Sequence, residues 1–302
     1  MVISKVNRGK IREAAGDKAF LTFIYVMLSL ILIVVLYPMI YVVSSSFSSS
    51  RAVAAGDVWL FPVEFTLLGY TTVFTHPNIM NGFLNSVFYT LFGTLTNVFL
   101  TILLAYPLSR RQFYGRKFIM MVLVFTLMFN GGLIPLYLTV KKVGLLNTRL
   151  ALIIPQAVAV WQVIIARTFF AATIQDELAE AADIDGCSDF GFLWTIVLPL
   201  SKPIIAVLVL MYAVYHWNSY FDAMIYLSDD QKFPLQVILR KVLILNRARD
   251  MVMRASESIA RQGLADLLKF SLIVVASVPV MILYPFAQKH FIKGVMIGSL
   301  KG

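Results

Sequence analysis

Cysteine occurs once in 302 residues, at Cys187, so no internal disulfide can staple this chain. Histidine is nearly as scarce: His76, His216 and His290 stand far apart and show no metal-ligand spacing. His216, beside Trp217 in an apolar run, reads as a packed or hydrogen-bonded core residue. No G-x-x-x-x-G-K-[ST] phosphate loop occurs, which excludes P-loop nucleotide hydrolysis by this chain alone. H-E-x-x-H and G-x-S-x-G are missing too, which removes the zinc-peptidase and serine-hydrolase readings. Charge is sparse at 14 %, and acids are the rarer kind, 16 Asp and Glu against 26 Lys and Arg. The resulting +10 does not point to nucleic acid, because no nucleic-acid-binding motif accompanies it. Cations that flank apolar runs face anionic lipid head groups instead.

What the chain has is apolar length. Hydrophobic residues make up 59 % and the mean hydropathy is +0.81. About 20 apolar residues cross a bilayer as a helix, and the sequence predicts six such spans, at 20–43, 83–106, 118–139, 150–171, 203–227 and 267–288. The fourth and fifth carry Arg167 and Asp222, and the sixth carries Lys269 in its first turn. The fold class is therefore an all-α polytopic membrane protein. The chain divides into a tail over 1–19, a first span over 20–43, a loop over 44–82, a core over 83–289 and a second tail over 290–302. The first apolar run exceeds the 7–15-residue core of a signal peptide and shows no clear cleavage site, so it is expected to be retained. Lys5, Arg8, Lys10, Arg12 and Lys18 precede it and only Arg51 follows it before the second span. That bias places both termini in the cytoplasm, and Arg110, Arg111, Arg116 and Lys117 agree. The basic 228–266 loop counts against it; there the first helix is given more weight. That loop reads as a lipid-facing amphipathic stretch, or as a contact for a binding protein or acidic glycans.

One acidic segment stands out in this basic chain. Between the fourth and fifth spans, Asp176, Glu180 and Asp183 fall four and three residues apart and form one stripe on a short helix, about 174–185. Thr173 is expected to cap it, with Asp176 completing a capping-box-like start. Gly186 supplies the left-handed residue that ends it. Ser188 is expected to cap a second, apolar helix that Pro199 stops, and Ser201 with Pro203 opens the next span. A rigid charged projection of this kind suits docking.

Glu180-Ala181-Ala182, Asp185-Gly186, Ile196-Val197-Leu198-Pro199 and Pro203 resemble the EAA motif of ABC-importer permeases, within a coupling segment spanning 173–202. Cys187 stands where a small Ala is usual, and Gln175 where many relatives have Pro. The loop GDVWLFPVEFTLLGY, the WNSYF run and the closing GVMIGSLKG are similar to carbohydrate-uptake permeases of the maltose type and to oligosaccharide permeases of Gram-positive bacteria. The resemblance implies a type I ABC-importer transmembrane domain in a bacterial plasma membrane. It also implies a second homologous permease, two cytoplasmic ATPase subunits that bind ATP-Mg, and an extracellular lipid-anchored binding protein. This chain itself would bind no cofactor and no metal. Glu180 and Asp185 would anchor the coupling helix by charge-assisted hydrogen bonds, Ala181 and Ala182 would keep the contact close, and Gly186 would hold the turn. The tail Gly298–Gly302 would add a second ATPase contact.

A candidate substrate pathway lies at the end of the fifth span, in Tyr215, Trp217, Asn218, Tyr220 and Asp222. Aromatic faces with amide and carboxylate groups suit a sugar, and an intramembrane carboxylate faces a cavity or a partner. An interfacial aromatic belt is the plainer alternative. Asn130, with Gly131, Gly132 and Pro135, breaks the third span and either lines a pathway or kinks a helix. The competing class is an ion-coupled secondary transporter, which would need paired intramembrane ionisable groups and often an internal repeat. Arg167 and Asp222 lie in different spans and form no such pair, and no repeat is evident.

Overall fold

The structure, a computed structural model, describes residues 15–250 and 266–285, with side-chain surroundings for 16–242 and 266–285. Lys5, Arg8, Lys10, Arg12, Arg254, Arg261 and the tail with Gly298–Gly302 lie outside the described residues. The described residues are helical and contain no strand. Among the described residues, three unbroken helices are long and apolar enough to cross a membrane. The first, α1 (Ala15–Ser46), exposes nearly its whole apolar length, from Phe20 to Val43. Two short helices, α2 (Ser50–Ala55) and α3 (Leu68–Thr75), lead to α4 (Pro77–Ser109), which starts with proline at a position whose N–H has no helical partner. The third long helix is α13, Asp266–Pro285.

The other predicted spans are broken, each for a local reason. The run 118–139 is two helices, α5 (Arg116–Met128) and α6 (Leu133–Lys142), bent by 117°. Asn130 Oδ1 accepts the backbone N–H of Gly132 at 2.9 Å, and Gly132 adopts φ +86°, so the Asn-Gly-Gly stretch turns the chain. The run 150–171 begins as a single 3-10 turn, Arg149–Leu152, and becomes helical only at α7 (Val160–Thr173). Pro155 lies between them and disfavours helix in the residue before it. The segment 173–202 holds α8 (Asp176–Ile184) and α9 (Asp189–Leu200), the latter wound as a π-helical turn over Leu193–Val197. A bend of 83° at Ser201 separates α9 from α10 (Lys202–Trp217). The run 203–227 therefore ends at Trp217, and α11 (Phe221–Tyr226) follows after a break. The amphipathic α12 (Leu235–Asp250) completes the set.

Helix α4 organises the rest. Its first half contributes Ile79 and Tyr89 to one apolar cluster with Trp217, Ala223, Leu235 and Leu272. Its second half contributes Ile102, Ala105 and Leu108 to another, with Val163, Phe170, Ala182, Val197 and Leu208. Between them lies a buried polar layer. Asn97 Nδ2 donates to the Gln156 carbonyl at 2.6 Å, which leaves Asn97 Oδ1 to accept from His216 Nε2 at 3.0 Å. Thr101 and Tyr212 share a hydrogen bond of 2.6 Å beside them. His216 is fully buried, as its sequence context predicts. In an apolar medium such amides are held because the alternative is an unpaired polar group.

Candidate coupling site

Helix α8 is the predicted coupling helix, and its placement follows from which side chains are apolar. Ala182 is buried in the second cluster, with Ala179 packed at its edge, so this face seats the helix. Glu180, Ala181, Asp185 and Gly186 are exposed, and so is Ile184, at 87 %. The C-terminus closes as a Schellman turn. The Cys187 N–H donates to the Ala182 carbonyl at 2.9 Å and the Gly186 N–H to Asp183 at 3.1 Å, with Gly186 at φ +71°. Ser188 Oγ accepts the Gly191 N–H at 3.2 Å and caps α9 as expected.

The N-terminus differs from expectation. Thr173 is the last residue of α7, and Gln175 occupies the cap of α8 without a side-chain hydrogen bond. Asp176 instead pairs with two guanidinium groups, Arg110 at 3.4 Å and Arg111 at 3.5 Å. Arg110 also donates to the Ile174 carbonyl at 3.4 Å, one of the orphan acceptors that end α7. The acidic stripe thus has three fates. Asp176 is tied to the end of α4, Asp183 lines a cavity of about 440 Å³ with Tyr106, Arg110 and Phe190, and Glu180 faces outward. The Arg-Arg pair directly after a span was the available signal for this tie, and its i,i+66 separation from Asp176 hid it.

The candidate pathway residues are only partly brought together. Tyr215 donates to Asp222 Oδ2 at 2.9 Å, and Tyr220 carries the Arg240 guanidinium 4.8 Å above its ring. Tyr215, Tyr220 and Asn218 are exposed. Trp217 is set apart: it is buried against Phe83, and its Nε1–H is spent on the Ala276 carbonyl at 2.8 Å. Asn130 belongs to the α5–α6 turn and joins none of them. A polar clasp that the sequence reading missed lies nearby. Asn85 Nδ2 donates to the carbonyls of Gln231 (2.7 Å) and Phe233 (3.2 Å), and its Oδ1 accepts from Arg149 at 3.2 Å. Asn81 also binds Gln231, and Tyr89 the Lys232 carbonyl. The signal was a row four residues apart on α4: Asn81, Asn85, Tyr89, Gly93, Asn97, Thr101.

No family profile matches the chain. Individual relatives do. Protein LplC of Bacillus subtilis (strain 168) is 41 % identical over 274 residues, covering 89 % of this chain and 90 % of its own. The polygalacturonan/rhamnogalacturonan transport system permease protein YtcP of the same organism is 42 % identical over 288 residues, 95 % and 99 % of the two chains. A crystal structure of a bacterial ABC transporter involved in the import of the acidic polysaccharide alginate contains a chain that superimposes with a TM-score of 0.85. That chain is 32 % identical, over 93 % of this protein and 100 % of its own length. The protein is a carbohydrate ABC-importer permease. This kinship favours an ATP-driven importer over the ion-coupled carrier. A carbohydrate ABC-importer permease of this fold is a multi-pass membrane protein that works within a binding-protein-dependent importer.

Proposed function

We propose that this permease is one of two homologous membrane subunits that cross the bilayer six times, with both termini in the cytoplasm. In this reading α8 docks in a cleft of a separate ATPase, whose closure on ATP-Mg swings the attached helices and opens the translocation path outward. The observation that carries it is the construction of α8. The helix is seated by Ala182, tied by Asp176 to the end of α4 and closed by Gly186, yet it leaves Glu180, Ala181 and Asp185 exposed among the described residues. A projecting helix fixed at three points transmits displacement, whereas a flexible loop would absorb it. Glu180 and Asp185 then accept charge-assisted hydrogen bonds from the ATPase.

The substrate reading is an acidic oligosaccharide delivered by a lipid-anchored binding protein. Two relatives carry names that specify uronate polymers. At the end of α4 away from α8, Arg149 lies 4.8 Å from the Phe88 ring centre, and Arg240 sits over Tyr220. Neither has a carboxylate within 4 Å among the described residues. Guanidinium forks beside aromatic faces match sugar carboxylates on pyranose rings. The test is co-purification with an ATPase subunit, followed by ATP hydrolysis in proteoliposomes with the binding protein present. Oligogalacturonate is expected to stimulate hydrolysis and neutral maltooligosaccharides are not. Absence of any ATPase partner would sink the coupling reading; stimulation by the neutral sugar alone would sink only the substrate class.

A further inference from the structure

We propose that a polar cavity where α4, α5 and α7 meet binds the phosphate of an anionic phospholipid. The cavity, about 610 Å³, is lined by Ser109, Arg111, Arg116, Arg167, Asp176 and Glu177 among others. Arg111 is committed to Asp176. Arg116 and Arg167 have no carboxylate within 4 Å among the described residues. Each spends one donor on a backbone carbonyl: Arg116 Nη1 on Arg110 at 3.4 Å, Arg167 Nε on Leu108 at 3.2 Å. A guanidinium has five N–H donors in a planar fork. Two forks at one cavity, each with one of its five donors spent on these carbonyls, suit a tetrahedral oxyanion that accepts from both.

Depth and surroundings select a lipid over a soluble anion. Arg167 lies about two turns inside the end of α7, whose other residues are uncharged. A cation at that depth marks the edge of the hydrocarbon layer, where its stem lies along apolar surface and its head reaches phosphate level. Beside it, α5 packs on α7 and exposes Phe118, Met121 and Phe125 at 65 %, 62 % and 57 %. This face gives acyl chains a track running away from the phosphate. Of the two acids, Asp176 is neutralised by its arginines, so Glu177 alone opposes the anion. The site depends only on the membrane placement, not on docking by α8.

The test uses the intact transporter, purified from mixed vesicles of phosphatidylcholine and phosphatidylglycerol, with retained lipid counted by native mass spectrometry. Wild type is expected to keep phosphatidylglycerol selectively. R116Q/R167Q is expected to weaken that retention about thirtyfold, and each single variant about fivefold. E177Q is expected to strengthen it. K141Q/K142Q, at the far end of α6, is expected to leave it unchanged; an equal loss there would reduce the effect to general surface charge and overturn the site. Unselective retention by wild type, or full retention by R116Q/R167Q, overturns it as well. Two outcomes reassign the cavity: displacement of the lipid by inorganic phosphate means a soluble anion, and cross-linking of R116C to the ATPase means a protein partner. The single variants keep the test decisive if the double variant fails to assemble.

Discussion

Substitution of Gly186 separates backbone from charge at α8, the proposed coupling helix. Gly186 sits at φ +71°, and a Cβ built there meets nothing within 4 Å. Side-chain size is therefore immaterial, and the penalty is the left-handed backbone itself, about 1–2 kcal/mol for an ordinary L-residue. Alanine recovers about 0.4–1 kcal/mol through a less disordered unfolded chain, leaving a net loss of about 1 kcal/mol. That is roughly a fivefold shift toward an opened turn. Asparagine tolerates the conformation and is expected to stay near wild type. Valine, β-branched, is expected to lose roughly 2 kcal/mol or more. Opening frees the Cys187 N–H and loosens Ala182, while the Asp176 ties and the membrane helices persist. Membrane abundance should thus be unchanged across the series. Sugar transported per ATP hydrolysed, measured in proteoliposomes, should fall in the order Asn, Ala, Val. Gly186→Asp shares the backbone tolerance of Asn, so any further loss relative to Asn measures charge at the docking face. Val behaving as wild type, or Asn as poorly as Val, refutes the turn-based reasoning.

Asp176→Asn should lower stability by less than about 1 kcal/mol, because partly exposed ion pairs contribute little; its effect should appear as ATP hydrolysis without matching transport. Tyr215→Phe removes the donor and Asp222→Ala the acceptor of one hydrogen bond. Both should alter uptake while leaving ATPase assembly intact, and loss of assembly would move these residues from pathway to scaffold. Gly93→Ala places a methyl carbon into three atoms of the His216 ring, which Asn97 holds fixed. Overpacking of about 1–3 kcal/mol is expected in detergent unfolding, and the double variant with His216→Ala should recover part of it. The Asp229 carboxylate is held below its ordinary value of 3.8 by the Gln231 backbone N–H and by Lys232. Its lowered value contributes stability that is present above 3.8 and lost as pH falls through the folded value. Hydrogen exchange of the 229–232 turn should therefore be pH-independent, after correction for intrinsic rates, until strong acid.

The sequence reading succeeded where a local pattern suffices. The apolar runs gave an all-helical membrane fold, Gly186 gave the end of α8, and Ser188 gave the cap of α9, because each depends on residues within one or two turns. It overextended the spans at 118–139, 150–171 and 203–227. Apolarity measures length in the bilayer, while Gly132, Pro155 and Asn218 decide whether that length is one helix. It misassigned Thr173 and Asp176 because a capping box and a long-range ion pair demand the same residue types. Only the fold shows that Arg110 and Arg111 lie within reach. Trp217 shows the converse: an aromatic next to polar residues reads as a binding face, but its position on α10 turns it toward α13.

The two ends of the molecule are joined through α4, and the character of that join bears on how they communicate. In the row Asn81, Asn85, Tyr89, Gly93, Asn97 and Thr101, the first three clasp the 231–233 segment and the last three meet α10. Apolar packing alone tolerates sliding by a methyl group or so, whereas an amide with both ends satisfied has one register. Asn97 is such a residue, bonded to both Gln156 and His216. In the proposed coupling, displacement of α8 reaches the end of α4 through Asp176 and the arginines. With the middle of α4 locked to α10, the proposed coupling predicts rotation of the α4–α10 pair and not slip between them. The Asn85 clasp joins the 231–233 segment to the same body.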